Sequence, residues 1–309
     1  MTGGRWAAAL VALLLGVTVV GCEKRRPTVR ETSPWTSIAR TLKPGLDPSS
    51  PNTCNRGDDG CLPAVLAGMR RRFERLARDC EHHAVFALMY LRVTEAVGRE
   101  NGGSQSGDPR YLRHLDAVFA QLYFDAFDAW TVGRRGVPRA WQIAFEAADR
   151  RRVSGMGNLL LGMNAHISRD LPFAVASIGV AAGAQGTRER RSFENVNDIL
   201  SDVQGPILRE AARRFDETIA DTGLPGISGG ERDVAGLLAS WRDEAMRNGE
   251  RLLAAATAAQ RAEVAGSIED AAAGRATVIV AATSRIPFSD AGKAREKRCA
   301  AARGADAPG

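Results

Sequence analysis

The chain has 309 residues, which suits one large domain or two modest ones and leaves room for a core that needs neither metal nor disulfide merely to fold. Hydrophobic residues make up 44% and charged residues 25%, which excludes wholesale disorder. The net charge of +6 is the small difference between 42 basic and 36 acidic residues, too balanced to point to a nucleic-acid partner, and none is expected.

Met1 to Arg5 is a short basic stretch, and Trp6 to Val20 is an uncharged apolar run. That run is short for a bilayer span and of the right length for a signal-peptide core. It ends in Val19-Val20-Gly21-Cys22, followed by Glu23-Lys24-Arg25-Arg26. Two branched apolar residues, a small residue and Cys resemble the bacterial lipobox. The resemblance implies removal of residues 1–21 and attachment of diacylglycerol to Cys22. The domain would then be tied by lipid to a membrane of the cell envelope, outside the cytoplasm; each buried methylene contributes about 0.8 kcal/mol to such an anchor.

Residues 22–61 read as a tether, rich in Pro, Ser and Thr, that ends in a Cys-bounded loop. Apart from Cys22 there are four cysteines, Cys54, Cys61, Cys80 and Cys299, an even number that permits two disulfides in three connectivities. Cys54 and Cys61 enclose Asn-Arg-Gly-Asp-Asp-Gly, a turn-rich hexapeptide suited to a local bridge, which leaves Cys80 for Cys299. Asp58-Asp59-Gly60 lacks the alternating oxygen ligands of a calcium loop.

Helical periodicity begins at Leu62. Val65, Met69, Phe73, Leu76 and Cys80 recur every three or four residues, with Arg70, Arg71, Arg72, Glu74 and Arg75 on the opposite side. Val85 to Val97 is apolar nearly all round, as a buried helix should be. After Asn101-Gly102-Gly103-Ser104, Asp108-Pro109 opens another helix in cap-then-Pro order, with a stripe from Leu112 to Trp130. Val137-Pro138 opens the next, carrying Trp141 and Phe145. Gly155 to Gly183 is the most apolar stretch after the leader; Pro172 predicts two helices meeting at a break there. Helices are expected over Ser192–Val203 and Pro206–Asp221, with Gly205-Pro206 between them, and a long one from Asp233 to about Ala273. Ala276–Ala282 has some strand character but is assigned as helix. The expected fold is therefore all-α, a single bundle of about eight helices over residues 62–285, followed by a polar, mobile tail over 286–309.

Only four histidines are present: His82, His83, His114 and His166. His166 and Asp170 are four apart in an apolar run, so a continuous helix puts them on one face, where the carboxylate can orient the imidazole or both can ligate one metal. Asp116 adjoins the stripe of its helix, and Tyr90 and Thr94 share a side of theirs with His83. Asn197 lies just off the Phe193–Val196–Leu200 stripe. With Asn164, these residues predict a polar cavity inside an apolar bundle, the usual form of a small-molecule site. The chain carries no phosphate loop, dinucleotide fingerprint, His-Glu-x-x-His signature or nucleophile elbow.

Phe86 to Val97, Leu115 to Tyr123, Pro138-Arg139-Ala140-Trp141 and Leu161 to Pro172 resemble the bacterial family known as domain of unknown function 5995. Asn195 to Asp198 and Trp241-Arg242 fit the same pattern. The Asn164-Ala165-His166-Ile167 and Asp170-Leu171-Pro172 block is its most specific part. The resemblance implies an all-α domain and brings no established activity. Two functions follow from the residues. One is a lipid-anchored envelope protein that binds a small ligand or a protein partner around His166 and Asp170. The other is a metal-dependent hydrolase of an ester or phosphoester, with a divalent ion held by His166 and Asp170 and completed by Asp116, His83 or Asn164.

Overall fold

The computed structural model describes residues 34–100, 107–133, 136–179, 187–220, 231–285 and 289–305. The leader, Cys22 and the first part of the tether lie outside the described residues. The described chain is all-α. Its helices are α1 (Pro34–Thr41), α2 (Cys61–Arg78), α3 (Ala84–Glu100), α4 (Pro109–Val132), α5 (Arg139–Asp149), α6 (Gly155–Met163), α7 (Leu171–Ile178), α8 (Arg188–Arg214), α9 (Glu231–Ala254), α10 (Ala258–Thr283) and α11 (Asp290–Ala305). A π-helical segment, Asn164–Asp170, joins α6 to α7, and a single 3₁₀ turn, Glu217–Ile219, follows α8. Among the described residues no helix is long and apolar enough to cross a membrane.

Helix α2 buries the predicted stripe of Val65, Met69, Phe73 and Leu76 against α3 and α4. Arg72, expected on its solvent face, is buried instead. Its guanidinium donates to both carboxylate oxygens of Asp128 at 2.6 and 2.8 Å and lies over the Phe124 ring at 4.4 Å. A bidentate pair and an aromatic face together satisfy a guanidinium that burial would otherwise penalise. Cys80 follows α2 in the left-handed region, with φ of 51°, and the Glu81 N–H reaches back to Leu76 O, closing the helix where glycine is the usual residue. Helix α3 is sheathed on three sides by α2, α6 and α8, so its run from Ala84 to Leu91 is wholly buried. Helix α4 starts as its sequence predicts: the Asp108 carboxylate accepts from the N–H groups of Arg110 and Tyr111, and Pro109 occupies the first turn.

Three stretches depart from the periodicity reading. Gly205-Pro206 does not divide a helix; α8 runs through it, because one lost N–H bond is outweighed by burial of Phe193, Val196, Leu200, Ile207 and Leu208 on one continuous face. The long helix expected from Asp233 ends at Ala254 and a new one starts at Ala258. There Thr257 accepts from the Gln260 N–H while the Gln260 side chain accepts from the Thr257 N–H, a reciprocal cap that begins α10. Beyond Phe288, where a tail is expected, α11 packs on α2 and α8. It is tied down by the Cys80–Cys299 disulfide, an Arg298–Glu217 ion pair and buried Arg295, which donates to Val153 O. The Cys54–Cys61 disulfide closes the loop before α2. Ala276–Ala282 lies within α10, as assigned.

The π-helical segment is enclosed by six helices, with α4, α5, α6, α7, α9 and α10 all packed against it. Its cause is local. Pro172 has no N–H, and in an α-helix its ring would press on the Ser168 carbonyl. Widening the preceding turn removes that conflict, and the Leu171 N–H bonds five residues back to His166 O. The chain thus continues from α6 to α7 where a break is expected.

Candidate functional site

His166 projects from the widened turn into an aromatic box. Its ring stacks on Phe119 with centroids 3.5 Å apart and planes 7° from parallel, and Tyr90 meets it edge-on at 4.3 Å. Phe86, Trp141 and Tyr123 complete the box at 5.7 to 6.2 Å. Gly162, one turn earlier, lets α6 approach α3 closely: a Cβ there would run into the Phe86 ring.

Asp170 is fully buried and has three donors around it. The Trp141 indole N–H donates to Oδ2 at 2.8 Å, Arg169 donates to Oδ1 at 3.0 Å, and His166 Nδ1 lies 3.4 Å from Oδ2. Arg169 also donates to Glu269 Oε1 at 2.5 Å, which fastens the segment to α10. Burial holds the His166 imidazole below its ordinary pKa, against the pull of Asp170, so the ring is neutral at neutral pH. With Nδ1–H turned to the carboxylate, Nε2 carries a lone pair, and no protein group meets it.

Beside His166 lies a cavity of about 80 Å³ framed by α3, α4, the π segment, α7, α8 and α9. Most of its wall is apolar; the exceptions are Tyr90, Thr94, Asp116, His166 and Arg242. Tyr90 Oη, Asp116 Oδ2 and His166 Nε2 are buried without a hydrogen-bond partner. Burial pushes the Asp116 carboxyl up to about 7, with the Arg242 charge pulling the other way. Burial also raises the Tyr90 phenol, helped by Asp116 and Asp170, and lowers Arg242 to about 10. Arg242 is positioned by Asn197 Oδ1 and Phe193 O, both at 2.7 Å, and rides over the Phe193 ring at 4.2 Å.

The structure therefore brings Tyr90, Asp116 and His166 to one cavity. Asp170 stands behind His166 and Asn197 behind Arg242. Asn164 also stands back from the void: its amide donates to Ala272 O at 2.8 Å, anchoring the start of the π segment to α10. His83 is engaged elsewhere, with Nε2 2.7 Å from Asp149 Oδ1 and its ring against Phe127 and Phe145. His82 pairs with Glu296 and His114 sits between the carbonyls of Cys54 and Pro44. Among the described residues no three His, Cys, Asp or Glu side chains come together as a metal ion would need. His166, Asp170, Asp116 and His83 thus form no ligand shell, and the imidazole's outer face is covered by Phe119. A second void of about 20 Å³ adjoins His82, His83 and Asn158, whose amide has no partner; it is the size of a water.

Two members of the site are invisible to periodicity. Arg242 follows Trp241 as an ordinary basic residue, and Trp141 reads as core; only their contacts reveal that one lines the cavity and the other holds Asp170. No curated protein and no solved structure matches the chain. A family model matches residues 62–282, which spans all of α3 to α9 and nearly all of α2 and α10, and by that match the chain belongs to the family of unknown function DUF5995.

Proposed function

We propose that this is an exported protein of the bacterial cell envelope, lipid-anchored through Cys22, whose helical domain binds a small ligand in the cavity beside His166. The observation that carries the binding role is the convergence of Tyr90 Oη, Asp116 Oδ2 and His166 Nε2, each without a partner, on one apolar-walled void. Leaving a buried polar group unpaired costs about 1–3 kcal/mol, and three such groups facing one space mark a place that a ligand completes. The anchoring role is supported by the Val19-Val20-Gly21-Cys22 pattern and by the Cys54–Cys61 and Cys80–Cys299 disulfides, which suit an oxidising compartment.

Binding is tested by ligand-observed NMR on the full-length protein with a panel of aliphatic molecules of up to four heavy atoms. Saturable one-site binding that is blocked by the space-filling change Leu238→Trp supports the role, and a panel without saturable binding overturns it. Anchoring is tested by fatty-acid labelling in a bacterial host. Cys22→Ser should abolish the label; labelling that persists refutes attachment at that residue.

A further inference from the structure

Granting that the cavity takes a small ligand, its chemistry restricts what that ligand is. The Asp170 carboxylate receives N–H donors from Trp141 and Arg169, so it acts as an acceptor and draws the His166 proton to Nδ1. The ring cannot turn to exchange its nitrogens, since it is clasped between Phe119 at 3.5 Å and Tyr90 at 4.3 Å. Nε2 is therefore a fixed acceptor facing the void, and what it lacks is a donor. Net charge on the ligand is disfavoured from both sides. Asp116 and Arg242 line the void together and offset one another, so a charged ligand of either sign brings an excess charge into a space whose walls are otherwise apolar, where it is costly. The guanidinium of Arg242 is moreover already held by Asn197, Phe193 O and the Phe193 ring. Size is a third restriction: 80 Å³ is below the roughly 150 Å³ of an apolar cavity that admits benzene.

We infer that the ligand is a small uncharged alcohol, with its hydroxyl donating to His166 Nε2 and its hydrocarbon body against the apolar wall. Tyr90 Oη lines the same void and is positioned to donate to the alcohol oxygen, so that the hydroxyl is used both as donor and as acceptor.

The test is a matched set of probes small enough for the void, used on the full-length protein: propan-1-ol, its isomeric ether methoxyethane, propanoate and propylammonium. Affinities are read by NMR titration, and the imidazole ¹⁵N signals of the four histidines are followed in parallel. Propan-1-ol should bind about tenfold tighter than the ether, the worth of one buried acceptor left unpaired. It should also shift the one Nε2 signal that belongs to His166. In His166→Phe, which keeps a ring against Phe119 and removes the acceptor, alcohol and ether should bind alike. Equal binding of alcohol and ether to the wild-type protein would overturn the inference while leaving the binding role intact. Tighter binding of either charged probe would overturn it on the charge argument. Failure of all four probes to bind would overturn it together with the binding role. Should His166→Phe not fold, the wild-type ¹⁵N response decides: an unmoved Nε2 signal on saturation with propan-1-ol refutes the contact.

Discussion

Asp116 shows how a single buried carboxyl leaves a mark on solution behaviour. Its folded pKa of about 7 lies above the ordinary 3.8, so between those values the folded protein holds a proton that the unfolded chain has released. Stability from this group is present below about pH 4 and is lost as pH rises towards 7. Asp116→Asn removes the titration. The variant should gain roughly 1–3 kcal/mol on the wild type between pH 4 and pH 8, measured by urea unfolding at both values. A difference that is independent of pH would show that Asp116 ionises normally. Arg242, Tyr90 and His166 line the same void, and His82, lowered to about 4 by burial, acts in the opposite sense but is common to both proteins and cancels in the comparison. Asp116 and His166 were legible in the sequence because each interrupts an apolar pattern. Arg242 was not, because a basic residue next to Trp241 on a mixed-charge helix looks solvated until Phe193 and Asn197, on α8, are seen to receive it.

At the scale of the helix, the readable signals were caps and stripes, and what escaped them were the places where tertiary packing overrides local preference. The α4 start at Asp108-Pro109 was legible because it is written in adjacent residues. The passage of α8 through Pro206 was not, because what sustains it is the apolar face shared with α3 and α9. The α9–α10 boundary had a readable sign, Thr257 with Gln260 three residues on, masked by the unbroken Ala/Leu/Arg composition on both sides. Thr257→Ala should cost about 1 kcal/mol in thermal unfolding, and an unchanged melting temperature would mean that the cap is dispensable. The α6–α3 approach makes a sharper demand. Gly162→Ala forces a methyl group against Phe86, and with no room to yield inside the aromatic box it should destabilise by roughly 1–3 kcal/mol. A neutral effect would mean that the two helices are free to part. The π turn was the least legible element. Pro172 announces a disturbance, but whether the chain breaks or widens depends on the helices that enclose it.

For the molecule as a whole, the all-α class was legible from composition and period alone, and the helix over Asp290–Ala305 was not. The composition there is polar, and the helix shows itself only where Cys299 meets Cys80, just past the end of α2. A crosslink closing so long a loop stabilises chiefly by restricting the unfolded chain. Cys299→Ser should therefore lower stability by roughly 2–5 kcal/mol in chemical denaturation without reductant, and dithiothreitol, which also opens Cys54–Cys61, should lower the wild type by at least as much. If the variant matches the oxidised wild type, α11 is held by packing and ion pairs alone. The same bond gives the molecule a property of a different kind. Residues 80 and 299 are the ends of a covalent ring that contains every helix from α3 to α10. A protease that cuts the backbone once between Glu81 and Arg298 opens the ring without dividing the molecule: the product runs as one species until it is reduced, and only then separates into two. Nicking and shedding are thereby uncoupled, and a clipped copy keeps its C-terminal half fastened to whatever holds its N-terminal end.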